Sequence, residues 1–295
     1  MGNIIAFGGG KGGSGKSFMV SLVGSLLAAT GRRVVLVDLD LGAANLHSFF
    51  GISTSRPGMQ DFLGGRIPSL EACVLETIYP RLFLIAAKGS AGHAADLPAA
   101  WTQRIIQGIR SLSHEFVLLD LGAGSSRNNL DFFLAASRGV IVTTPEPTAV
   151  ENVFRFVHAL FLRRIQAHVG ESRLRELTRT CLRTQAPVSI QPADLVAAFA
   201  AENPEAAARL SQDLAALRFY LLLNQVRKTL DAEVASQLLS FYPKFFGPVF
   251  SLGAVVSYGD GVGESVMARE PFLYKNKTHA ITRQTMGLVR QLLMP

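Results

Sequence analysis

The chain has 295 residues, 48% of them hydrophobic and 17% charged, enough apolar material for a sizeable core and too little charge for a disordered chain. Its two cysteines, Cys73 and Cys181, lie far apart in no paired motif. That pattern excludes a disulfide framework or a zinc or iron–sulfur site and fits a reducing, cytoplasmic setting. The net charge is +7 and the pI about 9.7, with 12 basic and 10 acidic residues up to position 147 and 17 and 12 beyond it. Such a balance can draw nucleic acid or anionic lipid, or it can be an ordinary solvated surface.

The opening residues Met1 to Phe7 carry neither the basic leader nor the long apolar run of a secretion signal. Ala6 stands where a myristoylation signal wants Ser or Thr, so Gly2 is expected to be an ordinary residue. Strands are predicted at 3–8, 33–38, 82–87, 115–120, 139–144, 219–224 and 249–256, and helices at 16–30, 97–112, 127–137, 148–168 and 278–293. Near-continuous apolar strands alternating with amphipathic helices predict an α/β fold, a mostly parallel twisted sheet with helices on both faces. Gly31 is expected to close the first helix and Thr148 to cap the fourth.

Residues 167–218 stand apart as a small helical insertion. Gln191-Pro192-Ala193-Asp194 and Glu202-Asn203-Pro204-Glu205 both read as helix starts, with Pro in the first turn and acids beside it. Residues 1–295 are therefore expected to form one domain carrying that insertion. No stretch reaches the roughly 20 apolar residues of a membrane span, so a soluble protein is expected. The final stretch, with Met286, Val289, Leu292 and Leu293, reads as a helix packed on the core.

The densest chemical signal is Gly8-Gly9-Gly10-Lys11-Gly12-Gly13-Ser14-Gly15-Lys16-Ser17, which follows an apolar strand and opens a helix. This is the context of a phosphate-binding loop: glycines let successive N–H groups converge on a polyphosphate at the positive end of a helix. Gly10, Lys11, Gly12, Gly13, Ser14, Gly15, Lys16, Ser17 and Phe18 are the candidate nucleotide contacts. Lys16 supplies charge to the β- and γ-phosphates of ATP, and the Ser17 hydroxyl is suited to ligate Mg²⁺.

With its extra lysine, Lys11, the loop resembles the deviant Walker A motif of the MinD/ParA family of P-loop ATPases, the MinD and FlhG (flagellar number) branch in particular. The likeness continues through Val34-Val35-Leu36-Val37-Asp38-Leu39-Asp40, through Phe116-Val117-Leu118-Leu119-Asp120-Leu121-Gly122-Ala123-Gly124, and through Thr143-Thr144-Pro145-Glu146-Pro147-Thr148. The resemblance implies ATP/ADP and Mg²⁺ as cofactors, and a homodimer formed with ATP in which Lys11 reaches the partner's phosphates. It makes Asp40 the group that orients the attacking water, so that Asp40, Lys11 and Lys16 form the catalytic set. It makes Ser17, Asp38 and Asp120 the magnesium set, Asp38 acting at second hand. Glu146 would partner a lysine of the site, and Asn224, in Leu221-Leu222-Leu223-Asn224-Gln225-Val226, would contact adenine. The tail from Leu252 to Pro271 departs from the family pattern at Ser257.

Three functions follow. One is a MinD-like switch whose ATP dimer recruits a protein partner, reaching membrane only through that partner. A second is a ParA-like ATPase coating DNA through Arg163, Arg164, Arg173, Arg175, Arg179 and Arg183, among which Glu171 and Glu176 are interspersed. The third, an iron–sulfur carrier of the related branch, lacks its paired cysteines.

Overall fold

In the first strand, β1 (Asn3–Gly8), Ile4 and Ala6 enter one apolar layer while Ile5 and Phe7 enter another. The same alternation runs through β2 (Val34–Leu39) and β5 (Phe116–Leu121), so the sheet is covered on both faces. The computed structural model describes all residues except 1, 54, 88–96, 185–189, 228 and 295.

The remaining strands are β3 (Leu75–Glu76), β4 (Leu82–Ile85), β6 (Arg138–Thr143), β7 (Phe219–Val226) and β8 (Phe250–Ser257). They lie in the order β3-β4-β2-β5-β1-β6-β7-β8, all neighbours parallel except β3 and β4. The chain leaves β1 for β2 on one side and leaves β5 for β6 on the other. The carboxyl end of β1 therefore lies at the switch point where open α/β sheets bind ligands.

One face is covered by α1 (Lys16–Ala29), the 3-10 turn Leu46–Phe50 and, late in the chain, α11 (Gly261–Ala268), α12 (Phe272–Lys275) and α13 (Ala280–Leu293). The other carries α2 (Met59–Leu63), α3 (Ala99–Arg110), α4 (Arg127–Ala135), α5 (Pro147–Val169), α6 (Glu171–Thr184), α7 (Pro192–Ala200), α8 (Pro204–Ala215), α9 (Thr229–Phe241) and α10 (Pro243–Phe246). Helices α6 to α8 occupy the predicted insertion. Leu177, Leu195, Leu210 and Leu214 are buried in the same core as α5 and Phe219, so these helices extend the layer. No helix of the described residues is long and apolar enough to cross a membrane. Helix α13 buries Val289 and Leu292, with Met286 and Leu293 partly buried beside them.

Gly31, at φ 89, follows α1 as expected, and α7 and α8 start at Pro192 and Pro204 behind Gln191 and Asn203. Thr148 does not cap α5. Glu146 is the capping position and Pro147 the first helical residue, because a φ already near −65° suits proline to that place. The prediction also missed β3, with two residues, the short α2, α10, α11 and α12, and α9, whose Val234, Ala235, Leu238, Leu239 and Phe241 leave no clean apolar stripe.

The arginines that the DNA-coating alternative would use are mostly engaged by acids. Arg163 grips Asp131 of α4 at 2.6 and 2.9 Å, and Arg164 and His168 hold Asp213 of α8 at 2.6 and 2.8 Å. Arg173 pairs with Glu176 and Glu202, and Arg175 with Glu171. Arg179 is exposed, and the side chain of Arg183 lies outside the described residues.

Helix α4 approaches β6 so closely that only glycine fits at 139. A Cβ there would lie 2.3 Å from the Phe133 ring and 3.1 Å from the Phe219 ring. Gly139→Ala should destabilise the protein by about 1–3 kcal/mol through overpacking, read as a lower melting temperature. An unchanged melting temperature would mean that the layer yields freely at this point.

Candidate nucleotide site

The loop between β1 and α1 leaves donors unsatisfied. Gly15 precedes α1 at φ 83, no side chain caps the helix, and no acid lies in its first turn. Its first N–H groups are open to an anion. The Ser14 hydroxyl is buried without a hydrogen-bond partner. A Cβ at Gly10 would fall 2.2 Å from the Asn152 carbonyl oxygen, and one at Gly15 2.4 Å from the Asn224 Nδ2, so the loop is held at backbone distance from its neighbours. Lys16 is buried, with Nζ 3.4 Å from the Lys11 carbonyl. Burial lowers its pKa, opposed by the charges of Asp120 and Asp40. The Lys11 side chain is exposed at the rim.

Asp120 and Asp40 act on this lysine, and Asp38 lies beside Asp120 on the next strand. Asp38 and Asp120 are paired in register on β2 and β5, and both are buried. The Asp38 oxygens accept from the Asp40 and Leu46 N–H groups at 3.1 and 3.2 Å, folding the 40–46 turn. Burial, then the neighbouring Asp120 charge, raises the Asp38 carboxyl well above its ordinary range. Asp120 is pushed up to about 7 by burial, while the Ser17 hydroxyl and Lys16 pull it down. Its Oδ1 meets no donor.

Asp40, just past the end of β2, accepts the Ala43 N–H at 3.1 Å and lies beside Gly122, where an added Cβ would be 3.4 Å from its Oδ1. The loop after β5 is gathered by Asn129, whose Nδ2 donates to the carbonyls of Gly122, Ala123 and Gly124 at 3.0, 3.3 and 3.2 Å. The Gly124 N–H donates to the Gly9 carbonyl at 3.1 Å. Glu146 takes the Thr144 hydroxyl, and no lysine pairs with it among the described residues.

Beyond the loop a cavity of about 270 Å³ is lined by Phe18, Asn224, Gln225, Tyr258, Asp260 and Val262, among others. Asn224 is buried and commits one amide hydrogen to the Ser14 carbonyl at 2.9 Å. The Arg227 guanidinium stacks 4.1 Å over the Tyr258 ring at the rim. A larger cavity of about 740 Å³ lies among α7, α8 and the Pro243–Val249 segment, with Lys244 as its one charged residue, and shares no residue with the loop.

No three His, Cys, Asp or Glu residues cluster as metal ligands among the described residues. That is compatible with Mg²⁺, which takes phosphate oxygens and waters with one or two protein oxygens. The Ser17 hydroxyl beside the partnerless buried oxygen of Asp120 fits such an ion.

Residues 5–272 match the model of the CbiA family, the CobQ/CobB/MinD/ParA nucleotide binding domain. The septum site-determining protein MinD of Bacillus subtilis is 31% identical over 163 residues, 54% of this chain and 60% of that protein, so the match spans less than two thirds of the relative. The structure of MinD complexed with Mg-ADP from Pyrococcus horikoshii OT3 superposes with a TM-score of 0.69 at 17% identity, covering 99% of this chain and 96% of that one. The MinC:MinD cell division protein complex of Aquifex aeolicus gives 0.66 at 16%, covering 99% and 97%; at such identities the likeness is one of fold. With the family model spanning most of its length, the chain belongs to the CobQ/CobB/MinD/ParA nucleotide-binding family.

Proposed function

We propose that this chain is a cytoplasmic, MinD-like ATP-hydrolysing switch that closes into a homodimer with ATP and recruits a protein partner. The observation that carries the reading is the uncapped start of α1 under a glycine loop, flanked by buried Lys16 and by an Asp120 oxygen with no donor. Lys16 and the loop N–H groups hold the β- and γ-phosphates. Ser17 and Asp120 would hold Mg²⁺, with Asp38 supporting through the turn that it folds. The ion, when bound, neutralises charge on the phosphate oxygens. Asp40 orients the water that attacks the γ-phosphorus as ADP departs. Phe18 and Asn224 border the base, and Lys11, exposed at the rim, reaches the partner protomer's phosphates.

The MinD/ParA members of this family are ATPases, and an Aquifex aeolicus MinD has been solved with MinC, which supports a protein as the recruited partner. The ParA-like alternative, DNA coating, draws less support. The arginines that would carry it are largely bound to Asp131, Asp213, Glu171, Glu176 and Glu202.

Three outcomes test the reading. Lys11→Ala should bind ATP with near wild-type affinity, since Lys16 and the loop remain, yet stay monomeric in light scattering. A normal ATP-dependent dimer would remove Lys11 from the interface.

Asp40→Asn keeps an oxygen for the Ala43 N–H. It should retain ATP binding, lose hydrolysis by on the order of 10²-fold and accumulate the dimer. Weakened ATP affinity together with a lower melting temperature would instead make Asp40 a support of the fold.

Asp120 predicts a pH effect on nucleotide-free protein in chelator. Its folded pKa, about 7, exceeds the ordinary 3.8, so its stabilising contribution is complete below the unfolded value and is lost as pH rises towards 7 and past it. Asp120→Asn, which cannot ionise, should outlast wild type at pH 8 by up to about 4 kcal/mol and much less at pH 4.5. It should also lose the extra thermal stabilisation that Mg²⁺ adds to ATP. Equal melting curves at pH 8 would refute the buried-charge account.

A further inference from the structure

Strand β7 slips register against β8 twice, between Leu221 and Leu222 and again between Leu223 and Val226. At the second slip Asn224 and Gln225 leave the ladder. Val226 rejoins it opposite Ser257, and its carbonyl takes the Tyr258 N–H at 2.9 Å. Gln225 has a φ of 60, in the left-handed region that residues other than Gly, Asn and Asp seldom occupy. Such a backbone persists only where its surroundings require it, and bulges beside functional sites serve to re-aim side chains.

Here both amides turn towards the glycine loop. Asn224 Nδ2 donates to the Ser14 carbonyl at 2.9 Å, and Gln225 Nε2 donates to the Gly13 carbonyl at 2.8 Å. The approach depends on Gly15, since a Cβ there would lie 2.4 Å from the Asn224 amide nitrogen and 3.8 Å from that of Gln225. In a planar trans peptide the C=O and N–H point in opposite directions. Drawing the Gly13 carbonyl towards Gln225 therefore turns the Ser14 N–H away from β7, and Asn224 does the same for the Gly15 N–H. Both groups belong to the loop that would receive phosphate.

We propose that Gln225 is a positioning residue for the phosphate loop: it acts through the Gly13 carbonyl to aim the Ser14 N–H, and the strained bulge exists to deliver it there. The proposal rests on the nucleotide-binding reading above. Two variants test it. Gln225→Gly removes the amide and relieves the left-handed φ, whereas Gln225→Glu keeps the length but sets an acceptor against the Gly13 carbonyl.

Calorimetric titration with inorganic tripolyphosphate and with ATP, alongside ligand-free melting curves, reads the outcome. Both variants should lose about tenfold in affinity, the scale of one hydrogen bond, and equally for the two ligands, while Gln225→Gly melts no lower than wild type. A loss confined to ATP would make Gln225 a base contact and overturn the proposal. So would unchanged affinities, or a Gln225→Gly loss matched by a fall in melting temperature. Wild-type protein that takes tripolyphosphate but no ATP would refute the nucleotide reading, and the variants' tripolyphosphate affinities would still decide the role of Gln225.

Discussion

The rest of the molecule is arranged around a set of backbone donors that the chain itself does not satisfy. Helix α1 begins at Lys16 with no side-chain cap and no acid in its first turn, although its body is almost wholly buried. An uncapped helix start normally costs stability. Here the open N–H groups stand at the sheet's switch point, beneath a loop in which Gly13 and Gly15 take φ values of 77 and 83. A bound polyphosphate would satisfy the donors and the helix dipole together. The neighbours then have one task, which is to keep the loop in a shape that it would not hold alone.

The two buried acids beside the loop divide along the same line. Asp38 and Asp120 occupy equivalent places on adjacent strands and both are desolvated, yet their oxygens are used differently. Asp38 spends both on backbone N–H groups and so builds the turn that carries Asp40. Asp120 accepts from Ser17 and leaves Oδ1 unmatched. Two carboxyls raised chiefly by burial, a strand apart, with a lysine lowered by the same burial, describe a site in which every charge is poorly solvated. A cation near Asp120 would offset that penalty, whereas one beside Asp38 would have to compete with the turn.

What was legible in the sequence was what lies in local pattern. The glycine loop, the apolar strands that carry Asp38 and Asp120 near their ends, and the proline-led starts of α7 and α8 are each contained within about ten residues, and each lies within a residue of where it was expected. The cap of α5 was misread by two residues because Thr148 is a good capping residue in isolation, whereas Pro147 ahead of it already fits the first turn. Asn129 and Gln225 were not legible at all. The bond from Gln225 to Gly13 spans 212 residues of sequence, and nothing near position 225 marks it apart from the asparagine beside it. The same limit explains the arginines: a run of six reads as a basic face until the fold brings Asp131 and Asp213 against two of them.

The loop after β5 links these contacts into a unit that could report on the nucleotide. It is held by carbonyls alone on one side, all three gathered by the single amide of Asn129, and by one N–H, that of Gly124, on the Gly9 carbonyl. Asp40 lies next to it, close enough that a Cβ at Gly122 would meet its carboxyl, and the turn that carries Asp40 is folded by Asp38. A displacement at the γ-phosphate end of the glycine loop would therefore reach Gly124 through Gly9, then Gly122 through the amide of Asn129, then Asp40. No hydrophobic packing needs to break along that route, because every link is a hydrogen bond or a close approach at a glycine. Polar contacts of this kind have alternative partners in water and modest net strength. The buried apolar layers on either face of the sheet are close-packed and resist deformation. The polar contacts around the glycine loop are thus the part of this region that can shift at small cost, while the apolar layers on which it rests hold their shape.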